Sequence, residues 1–253
     1  MRTVLTRWVA ALLAVALGVA TAACGAGGGT SSSDRPNVVA TTSVLGDVVH
    51  NLVGDQAEVT VLMPAGSDPH DFSPSARQAA AMRGADVLVT NGLGLEAGLV
   101  DTIDAARHEG TDVVAATDGV EVRGTDPHFF TDPVRMRAAA AYLAKALTDQ
   151  VPALDTAPFR ARVSHYLDAL DALNTEIVTT LAVVPKERRV LVTNHESFAY
   201  FAARYGFEVL GTVIPSGSPL AEKGALTMER SWFNGVTSRT PARSFALGRG
   251  SQY

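Results

Sequence analysis

The 253-residue sequence predicts an α/β fold built on parallel sheet. Three observations carry this. Short apolar runs rich in β-branched residues alternate with helical stretches, the pattern of a parallel sheet covered on both faces. One long helical stripe lies past the middle of the chain. After it, strand and helix patterns resume. A hydrophobic content of 47% suits a sizeable core, enough for one large domain or two smaller lobes.

The chain begins with Arg2 and Arg7, the 13-residue apolar run Trp8 to Ala20, and the small residues Thr21-Ala22-Ala23 before Cys24. This is the layout of an export signal. The run is shorter than the ~20 apolar residues that a spanning helix needs. Cys24 is the single cysteine, so an intramolecular disulfide is excluded. Its place after Ala22-Ala23 is similar to the bacterial lipoprotein cleavage box, with Thr21 where Leu is usual. Cys24 is therefore expected to carry lipid. Gly25 to Pro36 (GAGGGTSSSDRP) is expected to be a flexible tether.

From Asn37 the elements follow in order. NVVATT (Asn37 to Thr42) reads as a strand, Val44 to Val53 as a helix, and AEVTVLM (Ala57 to Met63) as a second strand. Ser73-Pro74 reads as an N-cap with proline at the first helical position, opening a helix through Met82. DVLVT (Asp86 to Thr90) is the third strand, Leu95 to His108 a helix, and DVVAA (Asp112 to Ala116) the fourth strand. Asp132-Pro133 opens a helix to Gln150 by the same cap logic. From Pro158 to Leu181, Phe159, Val163, Tyr166, Leu167, Leu170, Leu173, Ile177 and Leu181 recur in steps of three and four. Such a helix of about 24 residues spans roughly 36 Å, long enough to run along two lobes. RVLVT (Arg189 to Thr193), Phe198 to Tyr205 and Glu208 to Ile214 then read as strand, helix, strand.

The formal charge of −5 becomes more negative once Arg2 and Arg7 are removed with the leader. An acidic chain is a poor candidate for binding nucleic acid. Three histidines stand out by context. His70 follows the second strand in PAGSDPHDFSP, His128 follows the fourth in DPHFFTDP, and His195 follows the first strand of the later series in NHES. In open α/β sheets, ligands bind outside the carboxyl ends of strands. Imidazole is the commonest zinc ligand, and three imidazoles plus a carboxylate or water complete a tetrahedron. From spacing alone these are either one metal site or three unrelated loop histidines. His50, His108 and His165 lie on expected helices and read as surface residues.

Several longer stretches carry a resemblance. VLMPAGSDPHDFSPS (Val61 to Ser75), VLVTNGLGLE (Val87 to Glu96), DPHFFTDP (Asp126 to Pro133), NHESFAYFAARYG (Asn194 to Gly206) and IPSGSPLAE (Ile214 to Glu222) resemble, in order, the cluster A-I family of bacterial metal-binding lipoproteins. These are extracellular receptors of zinc and manganese ABC transporters. The resemblance implies two parallel-sheet lobes bridged by one long helix, with the metal between them, in a monomer anchored by lipid to the outer face of the cell membrane and delivering its ion to an ABC permease. It implies His70, His128 and His195 as metal ligands. His195 stands where manganese members tend to have Glu, which favours Zn(II) over Mn(II), as do nitrogen donors. The stretch GVEVRGT (Gly119 to Thr125) lacks the His-rich loop of many zinc members. Glu96 would either support the ligands or cap the following helix, with capping favoured, and Glu196 is expected to point away from the site.

The implied organisation is a leader over 1–24, a tether over 25–36, a metal-binding first lobe over 37–150, a linker helix over 158–181, a partial second lobe over 188–222 and a divergent tail over 223–253. The resemblance ends near Glu222, and Lys223 to Tyr253 holds five Lys and Arg against the single acid Glu229. The expectation is a truncated or frameshifted tail, irregular in structure, with an incomplete second lobe, and with Glu229 out of reach of the histidines. No fourth protein ligand is nominated. Two other functions fit parts of the sequence. One is a zinc hydrolase using Asp71 or Glu196 as base, against which the missing HExxH motif argues. The other is a surface adhesin, for which no partner surface is visible.

Overall fold

A computed structural model describes residues 35–212. The leader, Cys24, most of the tether, Ile214, and the tail with Glu229 lie outside the described residues. Strands β1 (Asn37–Ala40), β2 (Glu58–Val61), β3 (Val87–Thr90) and β4 (Asp112–Ala115) form one parallel sheet in the order β2-β1-β3-β4. Val39 pairs with Thr60 on one side and Leu88 on the other. Alternate side chains go to opposite faces of such a strand. Val38, Ala40, Val87 and Val89 accordingly join one core, and Val39 and Leu88 join another.

The first core is covered by α1 (Ser43–Val53), α4 (Pro133–Gln150) and the first half of α5 (Ala157–Leu181). Leu143 and Leu147 of α4 are fully buried there, each contributing about 1.5–3 kcal/mol by leaving water. The second core is covered by α2 (Ala76–Arg83) and α3 (Val100–His108). Thr42 caps α1, accepting from the Leu45 N–H at 3.2 Å. Asp132 caps α4, accepting from the Val134 N–H at 3.0 Å with Pro133 at the first helical position, as the sequence indicates.

Two helix starts differ from expectation. α2 begins at Ala76, not Pro74, because Ser75 and Gln78 form a reciprocal capping box. Gln78 Nε2 also donates to the Leu62 carbonyl at 2.7 Å, tying the helix entry to the end of β2. The helix expected from Leu95 becomes a short tight turn at Ala97–Leu99 before α3 starts at Val100. Leu93 and the two glycines beside it, Gly92 and Gly94, all have positive φ, a backbone that does not continue into an α-helix.

α5 is the long helix, 25 residues capped by Thr156. Its apolar stripe is not uniformly used. Phe159 and Leu170 are buried, and Val163, Tyr166 and Leu167 pack on the core. Burial, and next the Asp47 carboxylate of α1, push the Tyr166 phenol up to about 12. Farther on, Leu173 is 43% and Val178 53% exposed. The helix lies against α1 and α4 as far as Asp171, which accepts from Arg137 of α4 at 2.9 Å; beyond it the apolar residues are more exposed.

Beyond α5, β5 (Val190–Thr193) and β6 (Glu208–Thr212) pair in parallel and are joined by α6 (Ala199–Tyr205). α6 ends at Gly206 in the left-handed conformation, φ 71°. Arg189 ties this unit together. Its guanidinium donates to the carbonyls of Leu181 (3.0 Å), Val184 (3.0 Å) and Tyr205 (2.8 Å), satisfying groups at the ends of both α5 and α6. α6 also meets the first lobe. Arg204 forms hydrogen bonds to both Asp132 carboxylate oxygens at 3.0 Å, at the cap of α4.

Candidate metal centre

The sheet order places the reversal of winding between β1 and β3, where ligands collect in open α/β sheets. Thr41 after β1, Asn91 after β3, and Glu96 fill that point, all nearly fully buried. Glu96 Oε1 accepts from the Thr41 hydroxyl at 2.6 Å and the Asn91 N–H at 2.5 Å, and Oε2 accepts from the Gly92 N–H at 3.3 Å. Glu96 therefore does not cap the following turn; no side-chain cap bond is made there. It braces the floor instead, and Asn91 passes the brace on by donating to the Pro127 carbonyl at 3.0 Å, one residue before His128.

On that floor the three singled-out histidines converge. His128 Nε2 lies 3.3 Å from His70 Nε2 and 3.2 Å from His195 Nε2. A ligand atom from each lies within 4.8 Å of those of the other two. Two nitrogens held at ~2.0–2.1 Å by one tetrahedral zinc sit roughly 3.3–3.4 Å apart, so both short separations match edges of that coordination sphere. His128 is 5% exposed; His70 and His195 are half-buried. His50, His108 and His165 are exposed on helices.

Each first-lobe ligand sits in the same short motif. In Asp68-Pro69-His70, the Asp68 carboxylate accepts the His70 N–H at 2.9 Å. In Asp126-Pro127-His128, Asp126 Oδ1 accepts the His128 N–H at 3.0 Å and lies 2.8 Å from ring Nδ1. An ionised carboxylate only accepts, so Nδ1 carries the proton and Nε2 presents its lone pair to the centre. This is the usual way a carboxylate orients a metal-binding imidazole. The repeated D-P-H was the available sequence signal for both aspartates.

His195 leaves β5 on a coil held by the Thr193 hydroxyl and the Ser197 N–H, which both donate to the His195 carbonyl at 2.9 Å. Glu196 is exposed and lines a cleft of ≈ 820 Å³ together with His70, His128, Arg123 and Phe198. The His195 pKa is lowered from its ordinary value by burial first, then by His128 and His70; Asp68 and Glu196 act in the other direction. Asp71, the other residue considered as a base, is exposed.

Residues 38–230 match the family described as zinc-uptake complex component A, periplasmic. The chain belongs to that family. The match runs past Glu222, where the sequence resemblance ended. Relatives include the manganese-binding lipoprotein MntA of Halalkalibacterium halodurans, 32% identical over 75% of this chain and 65% of that protein. They also include the manganese ABC transporter substrate-binding lipoprotein PsaA of Streptococcus pneumoniae, 32% identical over 70% of this chain and 61% of that one. The chain thus spans a little under two thirds of the length of these relatives. Among solved structures, the periplasmic zinc-binding protein TroA of Treponema pallidum superposes with a TM-score of 0.71 at 27% identity, covering 78% of this chain and 75% of that one. The zinc-uptake family is one of solute-binding receptors rather than enzymes, and its two-lobe α/β architecture agrees with the two parallel sheets and long helix described here.

Proposed function

We propose that this protein captures a divalent transition-metal ion, zinc in preference to manganese, and delivers it to an ABC import permease while held to the membrane by lipid at Cys24. The supporting observation is the set of three imidazole Nε2 atoms spaced 3.2 and 3.3 Å about His128. Nitrogen donors suit zinc better than the harder manganese ion. Entry of the ion replaces its water with His70, His128 and His195, each in the neutral form that leaves a lone pair free. Asp126 accepts a hydrogen bond from His128 Nδ1–H, and its negative charge offsets part of the ion's positive charge. Three nitrogens leave at least one position for water or a further ligand.

The names of MntA and PsaA support manganese as the second reading. Competitive loading of the purified chain with both ions, read by elemental mass spectrometry, separates the two. Zinc retained in one equivalent, and lost in His128→Ala, is the expected result. Preferential retention of manganese, or of neither ion, refutes the zinc assignment. For the anchor, Cys24→Ser is expected to release the protein from membranes; an unlipidated wild-type protein rejects that part. For transport, deletion is expected to slow growth in chelated medium and added zinc to restore it.

A further inference from the structure

Tyr200 differs from the rest of α6. Its side chain is packed in the core of the first lobe and is 1% exposed. Its hydroxyl meets the loop that carries His128 at two points. The Arg123 N–H donates to it at 2.8 Å, and it donates to the Asp126 carbonyl at 2.8 Å. Arg123 and Asp126 face one another across a tight turn, with the Asp126 N–H donating to the Arg123 carbonyl at 3.1 Å and Gly124 at φ 57°. The opposite N–H and carbonyl of that turn are bridged by the phenol, donor and acceptor in one atom. Burial in the core accounts for the aromatic ring; phenylalanine would fill the same space. It does not account for a hydroxyl whose two bonds both go to this loop.

We propose that Tyr200 is a positioning residue for metal capture. It holds Asp126 in place, Asp126 holds the His128 ring through Nδ1, and the Nε2 lone pair is thereby aimed at the centre. The inference rests on the metal-binding reading above. It also joins two ligands mechanically, because Tyr200 lies five residues after His195 on a helix that Arg204 fastens to Asp132. One segment thus supplies the His195 ligand and the clamp on the His128 ligand. Movement of that segment away from the first lobe removes His195 from the ion and frees the His128 ring together.

The test is Tyr200→Phe in the full chain, with Tyr205→Phe as control. The Tyr205 phenol also sits on α6 but bonds Asn174 of α5 at 3.0 Å. Two quantities are read: zinc affinity by chelator competition, and solvent exchange of the His128 Nδ1 proton by NMR in metal-free protein. Tyr200→Phe is expected to weaken zinc binding about 10-fold, the lower range for residues that orient a ligand. It is also expected to speed Nδ1 exchange, while Tyr205→Phe changes neither. Unchanged affinity and exchange in Tyr200→Phe overturn the inference and leave the three-histidine reading intact. Equal losses in both variants assign the effect to packing of α6 and overturn it as well. A wild-type chain that binds no zinc, yet shows faster Nδ1 exchange on Tyr200→Phe, overturns the metal reading and retains the positioning role.

Discussion

The tetrapeptide Val-Leu-Val-Thr occurs twice as a strand, as β3 (Val87–Thr90) and as β5 (Val190–Thr193). All four residues of β3 are buried, whereas β5 alternates between exposed and half-buried. β3 lies between β1 and β4 with helices over both faces. β5 pairs with β6 and, among the described residues, with no other strand. Identical local sequence therefore says strand in both places and says nothing about burial. Position in the sheet decides that. The consequence for the site is an unequal partnership: His70 and His128 stand on a packed scaffold, and His195 on a lightly covered one.

The same substitution in the two tetrapeptides gives the largest expected contrast. Leu88→Ala removes a fully buried side chain and is expected to cost about 2–5 kcal/mol. Leu191→Ala is expected to cost about 1 kcal/mol, within the usual range for a partly covered residue. Urea unfolding of both variants measures it, and equal losses would mean that β5 is covered as well as β3.

Zinc is expected to narrow the difference, because the three histidines proposed to hold it come from both scaffolds. At about 100 times its Kd, zinc is expected to stabilise the wild-type fold by about 2.7 kcal/mol. His128→Ala is expected to lose more than the ~100-fold in affinity that marks the upper range for orienting residues, and with it this stabilisation. A zinc-dependent rise in melting temperature that survives in His128→Ala would place the ion elsewhere.

Amide exchange sharpens the comparison strand by strand. Without metal, Val190 to Thr193 is expected to exchange faster than Val87 to Thr90, since local opening follows low packing. With zinc, the β5 amides nearest His195 are expected to slow most. Uniform protection across both strands, with and without metal, contradicts the unequal partnership.

The smallest effect concerns acidity. His195 has a pKa lowered from 6.5 by burial and by its two imidazole neighbours. A lowered folded-state pKa means that the folded chain resists protonation at this residue. Its contribution to stability is therefore full above the unfolded value near 6.5 and is lost as pH falls through the lower folded value. His195→Ala is expected to make metal-free stability less steep in that window. An identical slope in both proteins would assign the acid sensitivity to other groups.

Much of this molecule was legible in sequence where one residue acts on its near neighbours. Asp132-Pro133 placed the start of α4, and the stripe from Phe159 placed α5 to within a residue. Spacing singled out the three histidines but left open whether they form one site; the resemblance implied it, and their convergence is seen in the structure. What was not legible acts across distance. Gln78 reaches Leu62 and so helps set the start of α2. Glu96 turns back to Thr41, 55 positions away. Tyr200 lies in a stretch read only as helix, and its partners lie 74 and 77 positions earlier. No periodicity carries such pairings. The half-used stripe of α5 has the same origin, for spacing reports that a face is apolar and not what lies against it.

Arg189 has a mechanical consequence. With one guanidinium gripping the ends of α5 and α6, and its own carbonyl receiving the Glu208 N–H at 2.8 Å, the far end of the long helix is a stiff joint with little slack. α5 is then a lever whose fulcrum is its buried half. Its 25 residues extend roughly 37 Å, so a tilt of a few degrees at the fulcrum becomes a displacement of an ångström or so at the joint, on the order of lever length times angle. Such a displacement would reach the strand that ends two residues before His195, and it is half or so of a ~2 Å zinc–nitrogen bond.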